Sequence, residues 1–225
     1  MTHPGKLIPD TAREVVEETF ENGSKRATFY ELAGERVARR FWDEDGSLAM
    51  EYGMLGGVMH GPFRTFWEDG QVSWEATYVA GKEHGVSTQY DPTGALRGSY
   101  RMEHGTGVDL WFERKDVLAE ERHFLDGQRH GYVRWWLGDN ATVWQEKHYQ
   151  HGKPHGVFRH WNDKGNLRRG FPRYFANGEQ VTKRQYERAR RTDPTLPPFL
   201  PEHNAPNRPL PVMDGETIPP QASGT

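Results

Sequence analysis

Four histidines, His60, His84, His130 and His155, each stand directly before a glycine, which is raw material for a metal ladder or a proton relay. A zinc ion needs its ligands within about 2 Å of one point. Imidazoles carried one per structural unit, with units stacked roughly 10 Å or less apart, do not converge on such a point. The series is also interrupted, because Thr106 stands where the fifth histidine would be. A threonine rung is tolerable in a structural ladder and poor in a chemical one, so the histidines are expected to be half-buried, hydrogen-bonded structural groups.

Other chemistry is equally thin. The 225 residues include no cysteine, which excludes disulfides, thiolate nucleophiles and cysteine-based zinc sites. Nucleophile elbows, H-E-x-x-H and phosphate loops are absent, and "HGTGVD" (104–109) lacks the context of a Gly-rich phosphate cradle. No catalytic residue, cofactor or metal is therefore expected, and the chain reads as a non-enzyme.

What the sequence does contain is a repeat. Aligning on the glycine after the recurrent histidine puts Gly61, Gly85, Gly107, Gly131 and Gly156 in register at intervals of 24, 22, 24 and 25. Seven residues earlier lies Met54, Tyr78, Tyr100, Phe124 or Tyr149; five residues later lies Phe66, Tyr90, Phe112, Trp136 or Trp161. Four further on come Gly70, Gly94, Asp116, Asn140 and Gly165, all types that tolerate positive φ. Val72, Trp74, Ala76 and Tyr78 alternate with polar residues at the period of a strand, and so do Leu48, Met50, Tyr52 and Met54. Each unit is thus a β-hairpin that cannot bury its apolar face alone, and the fold class is mainly β: an elongated array of stacked antiparallel hairpins. The recurrent glycines are expected where one unit packs closely on the next.

The phrases "YVAGKEHGV" and "YQHGKPHGVFRHW" resemble the MORN-repeat variant of the bacterial YwqK family, over roughly residues 37–181. The resemblance implies a hairpin array and, through the label many members carry, an antitoxin or immunity protein that masks a cognate toxin or effector. It brings no catalytic residues. Glu103, Thr106 and the lengthened "WWLGDNATVWQEKHY" depart from the pattern.

The ends differ from the array. Residues 1–36 are acidic and read as a polar cap; the string Glu14, Glu17, Glu18 and Glu21 is otherwise a short helix or, because "FENGSKRATFY" echoes the repeat, a degenerate first hairpin. Thr182 and Gln185 have capping-box spacing and predict a basic helix over 182–191. From 192 to 225 the chain holds nine of its fifteen prolines and is expected to be extended or disordered, with "LPPFLP" able to lie along the sheet.

Net charge is −3, so no global field favours nucleic acid or anionic lipid, and a protein partner is the leading expectation. No secretory leader is evident and no run of 18 apolar residues occurs, which points to the cytoplasm. A local basic patch does exist: Arg168, Arg169, Arg173, Lys183, Arg184, Arg188 and Arg191 could dock an acidic protein, RNA or anionic membrane, or simply form a solvated face. Counting from each aligned glycine, the first and fifth residues are assigned to the core. The second and fourth point the other way: Asp109 and Trp111, Val133 and Trp135, Phe158 and His160 are the expected exposed row that binds a partner.

Overall fold

The computed structural model describes residues 7–213, 216 and 217. The protein is mainly β, with 57% of the described residues in strands, and divides into two compact units, Met1–His104 and Gly105–Thr225. The first is an antiparallel meander of β1 (Arg13–Thr19), β2 (Lys25–Leu32), β3 (Glu35–Trp42), β4 (Leu48–Leu55), β5 (Val58–Phe66), β6 (Val72–Val79), the short β7 (Lys82–Glu83), β8 (Gly85–Tyr90) and β9 (Leu96–Glu103). The second continues the same plan with β10 (Thr106–Arg114), β11 (Val117–Leu125), β12 (Gln128–Trp136), β13 (Val143–Gln150), β14 (Lys153–Pro154), β15 (Gly156–His160), β16 (Arg173–Ala176) and β17 (Glu179–Val181). Helix α1 (Lys183–Ala189) follows, then a 3-10 turn at Pro201–Asn204 and a strand pair, β18 (Val212–Met213) with β19 (Glu216–Thr217). The capping box read from Thr182 and Gln185 is formed at the start of α1.

Two kinds of turn make the hairpins. At one end the backbone crosses in short loops in which an Asp or Asn carboxyl or amide oxygen accepts backbone N–H groups, as Asp69 does from Gln71 at 3.0 Å. Gly70, Gly94, Asp116, Asn140 and Gly165, aligned by spacing alone, all have positive φ there. At the other end two successive residues take positive φ, as in Ala80-Gly81, Asp126-Gly127 and Asn177-Gly178, the geometry that suits a two-residue hairpin turn.

The "G-x-x-H-G" phrase is explained by how these second turns hang on the preceding hairpin. The ring Nδ1 of His60 accepts from the backbone N–H of Ala80 at 3.4 Å, and that of His155 from Asn177 at 3.1 Å. The following turn glycine also donates backward: Gly81 to the Met59 carbonyl and Gly178 to that of Pro154, both at 2.8 Å. Where histidine is replaced, the Thr106 hydroxyl accepts from Asp126 at 3.0 Å. These rungs therefore tie one hairpin to the turn of the next; at His130 the tie is the Gly152 N–H donating to the Arg129 carbonyl at 2.9 Å, the ring packing on His151 instead.

The expected close-packing role of the glycines holds at only some positions. A Cβ on Gly85 would meet nothing within 4 Å; the residue is glycine because its φ is +95°. Gly156 has both reasons, a φ of +143° and the His148 Cβ 2.7 Å from where its own Cβ would be.

The N-terminal segment is not a separate cap. Residues 13–32 form the β1–β2 hairpin, and the expected 36/37 boundary falls inside β3. Its acids are used in ion pairs, Glu14 with Lys25 at 2.5 Å and Glu17 with Arg39 at 2.5 Å, and they give the helix-like spacing that competed with the strand reading. Leu7 and Ile8 pack on Tyr30 and Ala38.

The proline-rich segment is likewise part of the core through residue 208. Leu196 joins Val157, Tyr174 and Tyr186 in an apolar cluster, with Phe199 against it. The Tyr186 hydroxyl donates to the Pro197 carbonyl at 2.6 Å, and Trp161 donates its indole N–H to Asn204 at 2.6 Å. Residues 214, 215 and 218–225 lie outside the described residues.

Candidate interaction surface

Cross-strand register sorts the side chains into two faces. On the first, a single row runs Thr28, Arg40, Glu51, Arg64, Glu75, Thr88, Ser99 across the first unit. The corresponding row of the second unit runs Leu110, Glu121, Arg134, Glu146, Arg159. Directly opposed residues in antiparallel strands are close enough to pair, and these do. Arg40 and Arg64 reach Glu51 at 2.9 and 3.2 Å; Arg134 bridges Glu121 and Glu146 at 3.2 and 3.0 Å.

Glu146 sits at the centre, 1% exposed, and also receives Arg159 at 3.0 Å and two bonds from Arg208 at 2.7 and 3.1 Å. Burial alone would raise its carboxyl pKa; the bond and charge of Arg208, with Arg134 and Arg159, overcome that and hold it at about 2. This is the face assigned to the core, and Phe112, Trp136, Val157 and Trp161 are buried on it. Val86, assigned to the same core, is 48% exposed. A shallow cavity beside it, about 220 Å³, is floored by Arg64 and Glu75. Its polar groups already have structural work: Arg64 binds Glu51, and Glu75 accepts from Tyr90, whose phenol burial and Glu75 push up to about 12.

The opposite face carries the row expected to bind a partner, and the structure divides it. The second-position residues Asp109, Val133 and Phe158 are buried, so they do not belong to an exposed row. Asp109 pairs with Arg122, directly opposite it across the β10–β11 ladder, at 2.6 Å, and Phe158 lies between Tyr149 and Phe175, with ring centroids at 5.6 and 4.3 Å.

The fourth-position residues remain half-buried and are brought together. Trp111 is opposite Glu120, Glu120 opposite Trp135, Trp135 opposite Gln145, and Gln145 opposite His160. Trp144 and Phe171, which spacing did not identify, complete the row. Trp144 stands 6.0 Å from Trp135 and 5.5 Å from His160, and Phe171 stands 5.5 Å from His160. The repeat register could not find Trp144, because the ladder skips it between the pairs Trp135–Gln145 and Trp136–Val143. Cations lie over the rings: Arg122 at 5.7 Å from Trp111 and Lys147 at 4.9 Å from Trp135.

The basic patch is exposed but spread over several elements. Arg168 and Arg169 are in the loop before β16, Arg173 is on β16, and Lys183, Arg184 and Arg188 are on α1, with Arg191 just beyond it. Arg184, Arg188 and Arg191 fall at helical i, i+4, i+7 spacing and form one solvent-facing stripe. Lys183 instead packs over Phe199 at 4.1 Å.

Among the described residues no group of three or more His, Cys, Asp or Glu is placed to hold a metal ion, and no helix is long and apolar enough to cross a membrane.

A ladder of antiparallel hairpins, with a half-buried aromatic row on one face of its second unit, defines a hairpin-repeat protein. A MORN repeat variant is matched at residues 59–80, which is the β5–β6 hairpin with the start of its next turn. MORN repeats are commonly protein- or membrane-binding modules. No curated protein matches the chain. Two solved structures are similar to part of it. One is a mutant of S. aureus TarM in complex with Fondaparinux, alpha-GlcNAc-glycerol and UDP, with 17% identity, TM-score 0.30, and coverage of 41% of this chain and 20% of that one. The other is TarM, with 17% identity, TM-score 0.29 and the same coverage. The matched part spans one fifth of those chains, and at such scores the likeness carries no argument about this protein.

Proposed function

We propose that this chain is a non-catalytic cytoplasmic module that binds and masks another protein, of the antitoxin or immunity kind implied by its resemblance to the YwqK family. The observation that carries the reading is the cross-strand row Trp111, Trp135 and His160, extended by Trp144 and Phe171. Aromatic side chains held rigidly at the surface are the usual anchors of protein interfaces, because they bury large area at low entropic cost. The most deeply buried charged groups of the fold, Glu121, Glu146 and Arg159, are engaged in the ladder, which supports a structural rather than a catalytic use of charge.

Co-expression with the products of adjacent genes tests this, a toxic neighbour being the natural first choice. Relief of toxicity and a stoichiometric complex are expected. Trp111→Ala and Trp135→Ala should each weaken that complex by about 2 kcal/mol while leaving the β signal in circular dichroism intact. A complex formed equally well by both variants overturns the placement of the interface. Turnover of a small substrate by the purified chain overturns the non-catalytic reading.

A second reading is supported by the stripe Arg184, Arg188 and Arg191: a peripheral scaffold that holds RNA, anionic membrane or an acidic partner at the C-terminal end. It predicts binding that weakens steeply with salt and is lost on reversing those three charges.

A further inference from the structure

Most cations in the strands are neutralised. In the first unit Lys25 meets Glu14, Arg39 meets Glu17, and Arg40 and Arg64 share Glu51. In the second, Arg134, Arg159 and Arg208 share the ladder carboxylates, and Arg122 has Asp109. Three cations on the aromatic face are different. Arg129 lies over Tyr149 at 5.6 Å, Lys147 over Trp135 at 4.9 Å and Arg173 over Phe171 at 4.7 Å. Among the described residues, none of the three is in an ion pair with a carboxylate.

Cations crowd one another there, with Glu120 the one neighbouring carboxylate among the described residues that acts on Lys147. Burial first and the nearby Arg129 second hold the Lys147 ammonium below its usual pKa, and burial, Arg168 and Lys147 do the same for His160. The imbalance extends through the sequence: residues 1–104 hold eleven Lys and Arg against seventeen Asp and Glu, whereas 105–225 hold eighteen against fifteen.

A cation held over a ring is already oriented and partly desolvated, so a carboxylate arriving there gains a charge-assisted hydrogen bond with little further ordering. It also relieves the mutual repulsion of Lys147 and Arg129. We propose that the aromatic face of the second unit docks an acidic segment of a protein partner, its carboxylates pairing with Arg129, Lys147 and Arg173 while its apolar side chains meet Trp135 and Trp144. This deepens the binding reading above and rests on it. Single-stranded nucleic acid fits less well, because base stacking needs an open ring face, whereas Lys147 lies over Trp135 and Arg173 over Phe171.

The test titrates the full chain at low salt with poly-L-glutamate and, separately, with oligothymidylate of matched charge, following tryptophan fluorescence and heat. Polyglutamate is expected to bind more tightly than the oligonucleotide. The double variant Lys147→Glu/Arg129→Glu should lose about ten-fold or more in affinity, while Arg184→Glu/Arg188→Glu changes it little. Folding is checked by circular dichroism, and Lys147→Gln with Arg129→Gln replaces the reversal pair if that pair unfolds. Tighter binding of oligothymidylate, no binding of polyglutamate by the folded parent, or a larger loss from the helix variant overturns the proposal. If a captured partner is lost by Trp135→Ala but kept by the Lys147 and Arg129 variants, the acidic-segment inference fails and the binding reading stands.

Discussion

The ring of His84 accepts the backbone N–H of His104 at its Nδ1, 3.3 Å away, with the two imidazoles stacked at 4.2 Å. At His60, His84 and His155 the recurrent histidine is thus an acceptor for a turn N–H through its Nδ1. His84→Ala should cost about 1 kcal/mol, since a turn N–H loses its partner but can still reach water. Urea unfolding measures it. Zinc should not raise the stability of the parent; a rise that is lost in His84→Ala would restore a metal role.

Two glycines of one sequence register should respond unequally. Gly85→Ala strains only the backbone, so about 1–2 kcal/mol is expected. Gly156→Ala adds a steric overlap with the His148 side chain and should cost about 3 kcal/mol or more. Equal losses in denaturant midpoint at the two positions would contradict this account.

Ending the chain after Arg191 removes both Leu196 from its cluster and Arg208 from Glu146. A loss of at least about 3 kcal/mol is expected, as for opening an apolar core and breaking a buried ion pair. Ending it after Pro211 should leave the thermal midpoint nearly unchanged. Differential scanning calorimetry on the two shortened chains decides the matter.

Acid should act through Glu146. Its carboxyl is held at about 2 in the folded protein against an ordinary value of 4.5, so the folded state binds the proton less readily than the unfolded one. The stabilisation is present above pH 4.5 and disappears as pH falls toward 2, amounting to about 3 kcal/mol. Glu146→Gln should flatten the stability-versus-pH curve in that window and, by leaving buried guanidinium groups short of charge, lower stability at neutral pH by about 3–5 kcal/mol. An unchanged acid limb in the variant would show that other carboxylates set it.

The hairpins were readable because turn chemistry and strand alternation repeat in step, so that errors in one unit are corrected by the next. The ladder was not. Glu51, Glu75, Glu121 and Glu146 also recur, but a charged residue in a strand ordinarily means solvent, and only register shows that each faces an arginine or another polar group. The N-terminal hairpin was obscured because Glu14, Glu17, Glu18 and Glu21 mimic helical spacing. The C-terminal segment was obscured for a different reason: proline excludes helix and ladder but says nothing about packing, and the partner of Arg208 lies 62 residues away. On the aromatic face, strand alternation correctly put Trp111, Trp135 and His160 together. It could not foresee that Asp109 would be paired with Arg122 and Phe158 enclosed by Tyr149 and Phe175.

Because acid and base occupy the two strands of a hairpin in turn, copying one whole hairpin adds one of each. A gene that grows or shrinks by such duplications leaves the interior electrically balanced, and the histidine or threonine rung travels with the copied segment. Where the pattern lapses in the first unit, Thr88 and Ser99 stand opposed in the places of base and acid. Duplicating a whole hairpin thus keeps every charge opposed to its complement, whereas a change at a single rung leaves one buried charge short of its partner.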